Sequence, residues 1–425
     1  MIGVLFITFV ILLLLGIPIA FVLTGSSLLA LLIDGSLNMA IITQRIFSGC
    51  SGFTLLAIPF FVLAGNLMSA GGMSRRLINF CDVFLGHIHG GLAMVAVAAC
   101  AFFAALSGSS AATAAAIGAI IIPEMLQHNY DKNFAAATVA SSAELGVIIP
   151  PSIGLIMYGV STQESIGDLF KAGILPGLFI AITLMITAHM MCKRQNNASV
   201  KPKSTWIERW NAFKESIFAL AMPVIILGSI YGGFCTATEA AVIAVVYGFI
   251  VGVFVYREIK IKDLRKILLD SCLTCATVLI IIGCSTIFAW ILTKANIPSL
   301  VASAFLRISS SKYIFLLLVN VLLLLVGMFC EAGAAMVILA PILAPVAASF
   351  DVNLVHFGII MMSNLAVGMV SPPVGVNLYV VCDSAKVKVE GMMRYLIIHF
   401  AVLIVDLLVI TYVPTLSLLI PNLLK

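Results

Sequence analysis

"GVIIPPSIG" (146–154) sets two adjacent prolines inside one of the most apolar stretches of the chain, and "GMVSPPVG" (368–375) does so again. Gly146, Pro150 and Pro151 map onto Gly368, Pro372 and Pro373 at one constant offset, 222 residues, about half of the 425-residue chain. Proline has no N–H, and its ring crowds the carbonyl four residues back. The carbonyls of Gly146 and Val147, and of Gly368 and Met369, are therefore expected to lack helical partners. The residue before each proline is pushed out of helical geometry, so Ile149, Pro150, Ser371 and Pro372 are expected to be extended. A free carbonyl in hydrocarbon costs several kcal/mol, and unwound backbone at membrane depth persists only inside protein or along a polar cavity. In transporters such carbonyls coordinate Na⁺ while half-helix N-termini face anionic groups. A plain kink, satisfied by a neighbouring helix or by water, is the competing reading. The repetition at matching positions weighs against it.

The surrounding composition fixes the solvent. The chain is 62% hydrophobic and 10% charged, against roughly 25% charged in soluble domains. Its mean hydropathy is +1.19. These values define a polytopic membrane protein. "MIGVLFITFVILLLLGIPIAFVL" (1–23) has no basic n-region and no Ala-x-Ala site, so it reads as a retained first span. The ten cysteines are scattered. Cys272 and Cys275 have CxxC spacing but no βαβ context, and read as small apolar thiols. The histidines lack metal-ligand spacing, and His87 and His89 would face different sides of a helix. HExxH, GxSxG and Walker A motifs are missing from the sequence, and Asp34, Asp270 and Asp406 stand isolated. An intramembrane enzyme and a primary pump are thus unsupported.

Lys and Arg near span ends report the cytoplasmic side. Residues 193–214 and 257–266 are the strongly basic loops, and the stretch between them suits two spans. Extending outward gives spans near 2–23, 26–47 and 53–71, an amphipathic arm at 73–89, a hairpin at 90–127, and spans at 133–160 and 168–192. The second half repeats that order: spans at 215–235, 237–256 and 267–293, an arm at 294–311, a hairpin at 312–350, and spans at 352–381 and 393–422. Five full spans per half is an odd number, so the second half is inverted. The basic loops, Arg75, Arg76, Lys132, Lys386, Lys388 and Arg394 then face the cytoplasm. Arg45, Lys171, Lys294, Arg307, Lys312 and Lys425 lie outside, with both termini periplasmic. Periodicity leaves open whether each hairpin is re-entrant or two full spans. The bilayer absorbs the apolar surface, and no nucleic-acid partner is expected.

The hairpin tips supply the second component. In "FFAALSGSSAATAAAIGAIIIP" (102–123), Ser107-Gly108-Ser109-Ser110 interrupts the apolar run. Ser109 or Ser110 can cap the small-residue helix that follows, whose N-terminus suits a carboxylate. Gly/Ala/Ser richness for close helix packing explains the same residues. The matching stretch "VGMFCEAGAAMVILAPILAP" (326–345) carries Glu331 at its tip. An intramembrane acid is a functional candidate, although helix capping alone also accounts for it. Glu239 follows a Gly-Gly turn and reads either as a helix-start residue or as a partner contact.

"FTLLAIPFFVLAGNLMSAGGMSRRL" (53–77), "GSSAATAAAIG" (108–118), "IIPPSIGLIMYG" (148–159), "SIYGGFCTATEAAVIAVVYG" (229–248) and "SPPVGVNLYV" (371–380) together resemble the large, DctM-type membrane subunit of tripartite ATP-independent periplasmic (TRAP) transporters. The likeness runs over nearly the whole chain. It implies an all-α polytopic fold of the ion transporter superfamily type: an inverted repeat with two re-entrant hairpins and broken helices, working as an elevator. Residues 1–192 would be one repeat, 193–214 a cytoplasmic linker and 215–425 the other. It implies Na⁺ coupling through two sites. One would be built from Ser107, Gly146, Ile149 and Pro151, the other from Gly327, Gly368, Ser371 and Val374. Ser109, Ser110, Thr113, Ser152, Glu331 and Asn377 are the corresponding substrate candidates. It further implies a carboxylate substrate, sialic acid and dicarboxylates among the class, a periplasmic binding protein that delivers it, and a small membrane subunit on a separate chain. The location implied is the bacterial inner membrane. Ala237 stands where the family often has proline, with little consequence expected. A stand-alone Na⁺-coupled dicarboxylate or citrate carrier of related fold is the alternative.

Overall fold

The computed structural model describes residues 1–35, 40–195, 201–372 and 375–424. Among them nine helices are long and apolar enough to cross a bilayer, and no strand occurs. The N-terminal region departs from the expected spans 2–23 and 26–47. It forms α1 (Ile2–Leu14), α2 (Ile19–Asp34) and α3 (Ala40–Cys50). Gly16 takes a left-handed φ of +73°, and Pro18 is the extended cap of α2. Glycine reaches that region without steric cost, and proline cannot continue the preceding helix. At 13 residues, α1 measures ~20 Å, short of the ~30 Å hydrocarbon core. It folds back on α2 instead.

A 3₁₀ turn, Phe53–Leu56, leads into α4 (Ala57–Ala70) and then the arm α5 (Met73–Leu85). The arm buries Leu77, Ile78 and Cys81 on one face. The first hairpin is α6 (Gly91–Ser107) and α7 (Ser110–Gln127). The broken helix follows as α8 (Lys132–Ala143), α9 (Leu145–Ile148) and α10 (Ile153–Thr162), and α11 (Ile166–Gln195) closes the half. The second half runs α12 (Trp206–Tyr231), α13 (Ala237–Ile250) ending in a π turn at Val251–Val255, α14 (Ile261–Lys294) and the arm α15 (Ile297–Ile308). The second hairpin is α16 (Lys312–Gly327) and α17 (Ala332–Ser349), and the second broken helix is α18 (Leu354–Gly368) and α19 (Val376–Ala385). Then come α20 (Val389–Tyr412) and α21 (Pro414–Leu423). The expected span 393–422 is divided at Pro414, and within the basic stretch 193–214 residues 193–195 and 206–214 are helical. Helix α11 reaches into it, and α12 opens with a Thr205/Glu208 capping box.

Element bounds recur at the proline offset. Helices α7 and α17 start at 110 and 332 and end at 127 and 349. Their caps, Ser109 and Glu331, keep the offset, as do Asp131 and Asn353, which cap α8 and α18. The left-handed residues Asn129 (φ 62°) and Asp351 (φ 55°) do too. The hairpins and broken helices share one buried cluster spanning both halves, in which α8 packs on α6, α7, α19 and α20. Helix α4 packs on α13, while α14 packs on α2, α3 and α4 and touches α17. Glu239 proves to be the partner of Thr236 in the capping box of α13. Ala237 occupies the first helical turn, where proline and alanine are both accommodated.

Candidate substrate cavity and cation sites

The first tip is held by its own hydroxyls. Thr113 Oγ1 donates to the Ser109 carbonyl at 2.8 Å and lies 2.9 Å from Ser107 Oγ. Ser109 Oγ accepts the Ala112 amide at 3.4 Å, which settles the cap on Ser109 rather than Ser110. Gly146 brings the broken helix against this tip. A Cβ there would fall 2.6 Å from both the Ser109 carbonyl oxygen and Thr113 Oγ1. The Ile153 amide donates to the Gly108 carbonyl at 3.3 Å. Ser107, Gly146 and Pro151 thus converge where tip and break meet. Ile149 is extended (φ −73°, ψ 127°), with its side chain seated against Gly177 of α11.

The second tip follows the same plan with different atoms. Gly327 and Gly368 pack backbone to backbone, so that a Cβ on Gly368 would lie 2.6 Å from the Gly327 Cα. Gly375, the counterpart of Ile153, donates its amide to the Met328 carbonyl at 3.3 Å. Glu331 Oε2 accepts the Ala334 amide at 3.0 Å, so Glu331 precedes the first turn of α17 as its cap. Val374 lies outside the described residues, as does Pro373.

Three of the four carbonyls expected to be free are engaged locally. Ser152 Oγ donates to the Val147 carbonyl at 2.5 Å and accepts the Leu155 amide at 3.3 Å. Ser371 donates both its amide (2.9 Å) and its hydroxyl (2.7 Å) to Gly368, and the Asn377 amide donates to Met369 at 3.3 Å. Residues just past a break can reach back, since a hydroxyl or freed amide replaces the missing proline N–H. Both convergence points remain oxygen-rich. Hydroxyl and carbonyl oxygens without nitrogen or sulfur are the donor set of a hard cation.

Between the tips lies a cavity of about 1020 Å³. Ser107, Ser109 and Ser110 line it from one hairpin, Glu331 and Gly333 from the other. Its opposite wall is α4 and α14, through Asn66, Thr274 and Thr277. Of the substrate candidates, Ser109, Ser110 and Glu331 face this space. Thr113, Ser152 and Asn377 are buried behind it, and the first two serve the backbone. Both polar atoms of the Asn377 side chain lack hydrogen-bond partners among the described residues. Sequence reasoning passed over Asn66, whose Nδ2 donates to Ser271 Oγ at 2.8 Å, although "AGNLM" places an amide in an apolar run. It also passed over Glu144, fully buried two residues before Gly146, whose carboxyl oxygens have no partner among the described residues. No three His, Cys, Asp or Glu side chains cluster as metal ligands among the described residues.

Paired hairpin tips meeting paired helix breaks around a cavity, in an apolar helical chain, define a polytopic membrane carrier. Residues 6–416 match the tripartite ATP-independent periplasmic transporter family, DctM component, and the chain belongs to that family. It is a multi-pass protein of the inner membrane. It is 43% identical over 97% of its length to the isethionate TRAP transporter permease protein DctMQ of Oleidesulfovibrio alaskensis, of which it spans 65%. It is 38% identical to the C4-dicarboxylate TRAP transporter large permease protein DctM of Rhodobacter capsulatus, covering 97% of each chain. Its fold resembles the YdaH transporter of Alcanivorax borkumensis, with a TM-score of 0.63, 13% identity and 88% of each chain covered.

Proposed function

We propose that this chain is the large permease subunit of a Na⁺-coupled TRAP transporter that imports a small organic acid. A periplasmic binding protein delivers the acid, a small membrane subunit completes the complex, and the two halves form an inverted repeat whose hairpins move as an elevator. The observation that carries this reading is the cavity between the two tips, each tip tied by backbone to a proline break. The acid group meets the N-terminus of α7 beside Ser109 and Ser110, where unpaired amides and the helix dipole favour an anion. The relatives named for isethionate and C4-dicarboxylates support an organic anion as cargo. The oxygen clusters at Ser107/Gly146/Pro151 and Gly327/Gly368/Ser371 suit Na⁺ as the co-transported ion. Binding Na⁺ there stiffens the contact between tip and break, which couples the ion to the site next to it. The recurrence of element bounds at one offset supports the repeat.

The test is uptake into proteoliposomes holding this chain and its small partner, with the neighbouring binding protein outside and labelled succinate, isethionate and sialic acid in turn. Uptake requiring both an inward Na⁺ gradient and the binding protein is expected. Na⁺-driven uptake indifferent to the binding protein would make the chain a stand-alone carrier. Failure with all three acids would overturn the substrate class.

A further inference from the structure

A second cavity, of about 670 Å³, lies along the same seam between α14 and the hairpin helices. Three helices line both spaces in sequence order. Helix α14 contributes Thr274 to Ile281 to the first and Ile282 to Thr293 to the second. Helix α17 turns from Glu331–Ala334 to Val337–Pro345, and α10 from Met157 to Val160. The two cavities are therefore end to end, separated by about one helical turn. The first lies toward the basic loop that precedes α14, the second toward Lys294.

Arg45 of α3 is the sole charged side chain among the described residues lining the second cavity. Its guanidinium is exposed and sits 5.3 Å from the ring centre of Trp290, without an acidic partner among the described residues. Lys294 lies over the same ring at 5.8 Å but has Asp34 at 3.7 Å. The charge left uncompensated there is that of Arg45. The hydroxyls nearby cannot replace it as donors. Ser161 donates to Met157, Thr162 to Tyr158 and Thr286 to backbone carbonyls, all within 2.9 Å. The guanidinium is the cationic donor that lines this cavity, and it offers a planar fork matched to a carboxylate or sulfonate.

We infer that Arg45, backed by Trp290, is an anion site for the cargo's acid group at the far end of the seam. The site rests on the transport reading above. The tips that hold the acid in the first cavity would meet Arg45 when the hairpins stand one cavity further along. Arg45 thus completes the substrate site in that state alone.

Binding is read without transport. Trp206→Phe and Trp210→Phe leave Trp290 as the single tryptophan. Its fluorescence is titrated with succinate, isethionate and sialic acid at constant ionic strength, in the purified chain with its small partner. A saturable change with at least one acid is expected. It should weaken at least tenfold in Arg45→Gln and partly return in Arg45→Lys. No saturable change, or an equal one in Arg45→Gln, overturns the inference even where uptake works. A response present in phosphatidylcholine nanodiscs but abolished by phosphatidylglycerol would assign the site to a lipid headgroup and also overturn it. In proteoliposomes that transport, Arg45→Gln should raise the half-saturating cargo concentration at least fivefold from the Arg45 side only. An equal rise from both sides, or a fall in maximal rate alone, would make Arg45 structural. Should wild-type protein bind but not transport, the site stands and the transport reading falls.

Discussion

At the residue scale the design rests on glycine as much as on proline. Gly146 and Gly368 are where a broken helix touches a hairpin tip, and each would drive a Cβ to 2.6 Å from a neighbouring backbone atom. Backbone on both sides cannot yield as a flexible side chain can, so one methyl group separates tip from break. Gly368→Ala should cost about 1–3 kcal/mol in overpacking and abolish most uptake. Gly118→Ala is the control, because a Cβ there meets Val139 Cγ1 at an ordinary 3.4 Å. Thermal unfolding in detergent beside uptake separates the two, and equal behaviour of both variants would deny the contact its role. Ser152 makes a second case. Its hydroxyl fills the vacancy left by the proline amides and caps α10 in the same gesture. Ser152→Ala leaves a buried carbonyl and an amide unpaired, a loss of about 2 kcal/mol. The fall in melting temperature checks it, with Ser161→Ala, a simple back-bonded hydroxyl, expected to change little.

At the element scale, the broken helices were legible because proline acts on its own backbone. Pro150 and Pro151 dictate the break whatever surrounds them, and the structure places it between Ile148 and Ile153. What filled the break was not legible. Whether Val147 finds an ion, a water or Ser152 depends on rotamers that spacing does not determine. The missed break at Gly16-Ile17-Pro18 has a different cause. The flanking runs are so uniformly apolar that a 23-residue stretch passes for one span, and only the left-handed glycine turns the chain back. Asn66 escaped because its role depends on α14, more than 200 residues away. Replacing both Pro150 and Pro151 with alanine restores the amides that α9 lacks, and the helix can run on through Ser152. Uptake should then lose its steep Na⁺ dependence, measured as rate against external Na⁺ at fixed cargo. An unchanged Na⁺ curve would remove the break from ion coupling.

At the scale of the whole molecule, polar contacts join segments far apart in sequence. Arg76 pairs with Glu258 at 2.6 Å, Lys201 with Asp82 and Glu124, and Lys132 with the Lys386 carbonyl, all on the basic-loop side. Asp34 pairs with Lys294 at 3.7 Å, and Lys171 donates to the Leu424 carbonyl, both lysines being among those expected outside. Burial works against the Lys201 charge, but its hydrogen bonds to the Glu124 and Asp82 carboxylates outweigh it and hold the ammonium above its usual range. A raised folded value means the stabilisation is complete below the unfolded value of 10.5 and fades only as pH climbs through the folded one. Lys201→Gln should therefore lower the melting temperature equally at pH 6 and pH 9, and a loss confined to one pH would contradict the assignment. The proposed elevator makes the sharper demand. Ala115, one turn past the first tip, is exposed to the cavity nearer the basic loops. With the ten native cysteines replaced, Ala115→Cys should react with an impermeant maleimide from the basic-loop side in the state described. Adding Na⁺, binding protein and cargo should open reaction from the opposite side and slow the first. Both reactivities at one residue do not by themselves require the tip to travel past α14, since a fixed tip with moving gates would also admit small reagents from both sides without moving Ala115 relative to Thr277. A pair of spin labels at those two positions distinguishes the cases: their separation should change between the two conditions, and a distance that stays the same in both would leave a carrier with stationary hairpins.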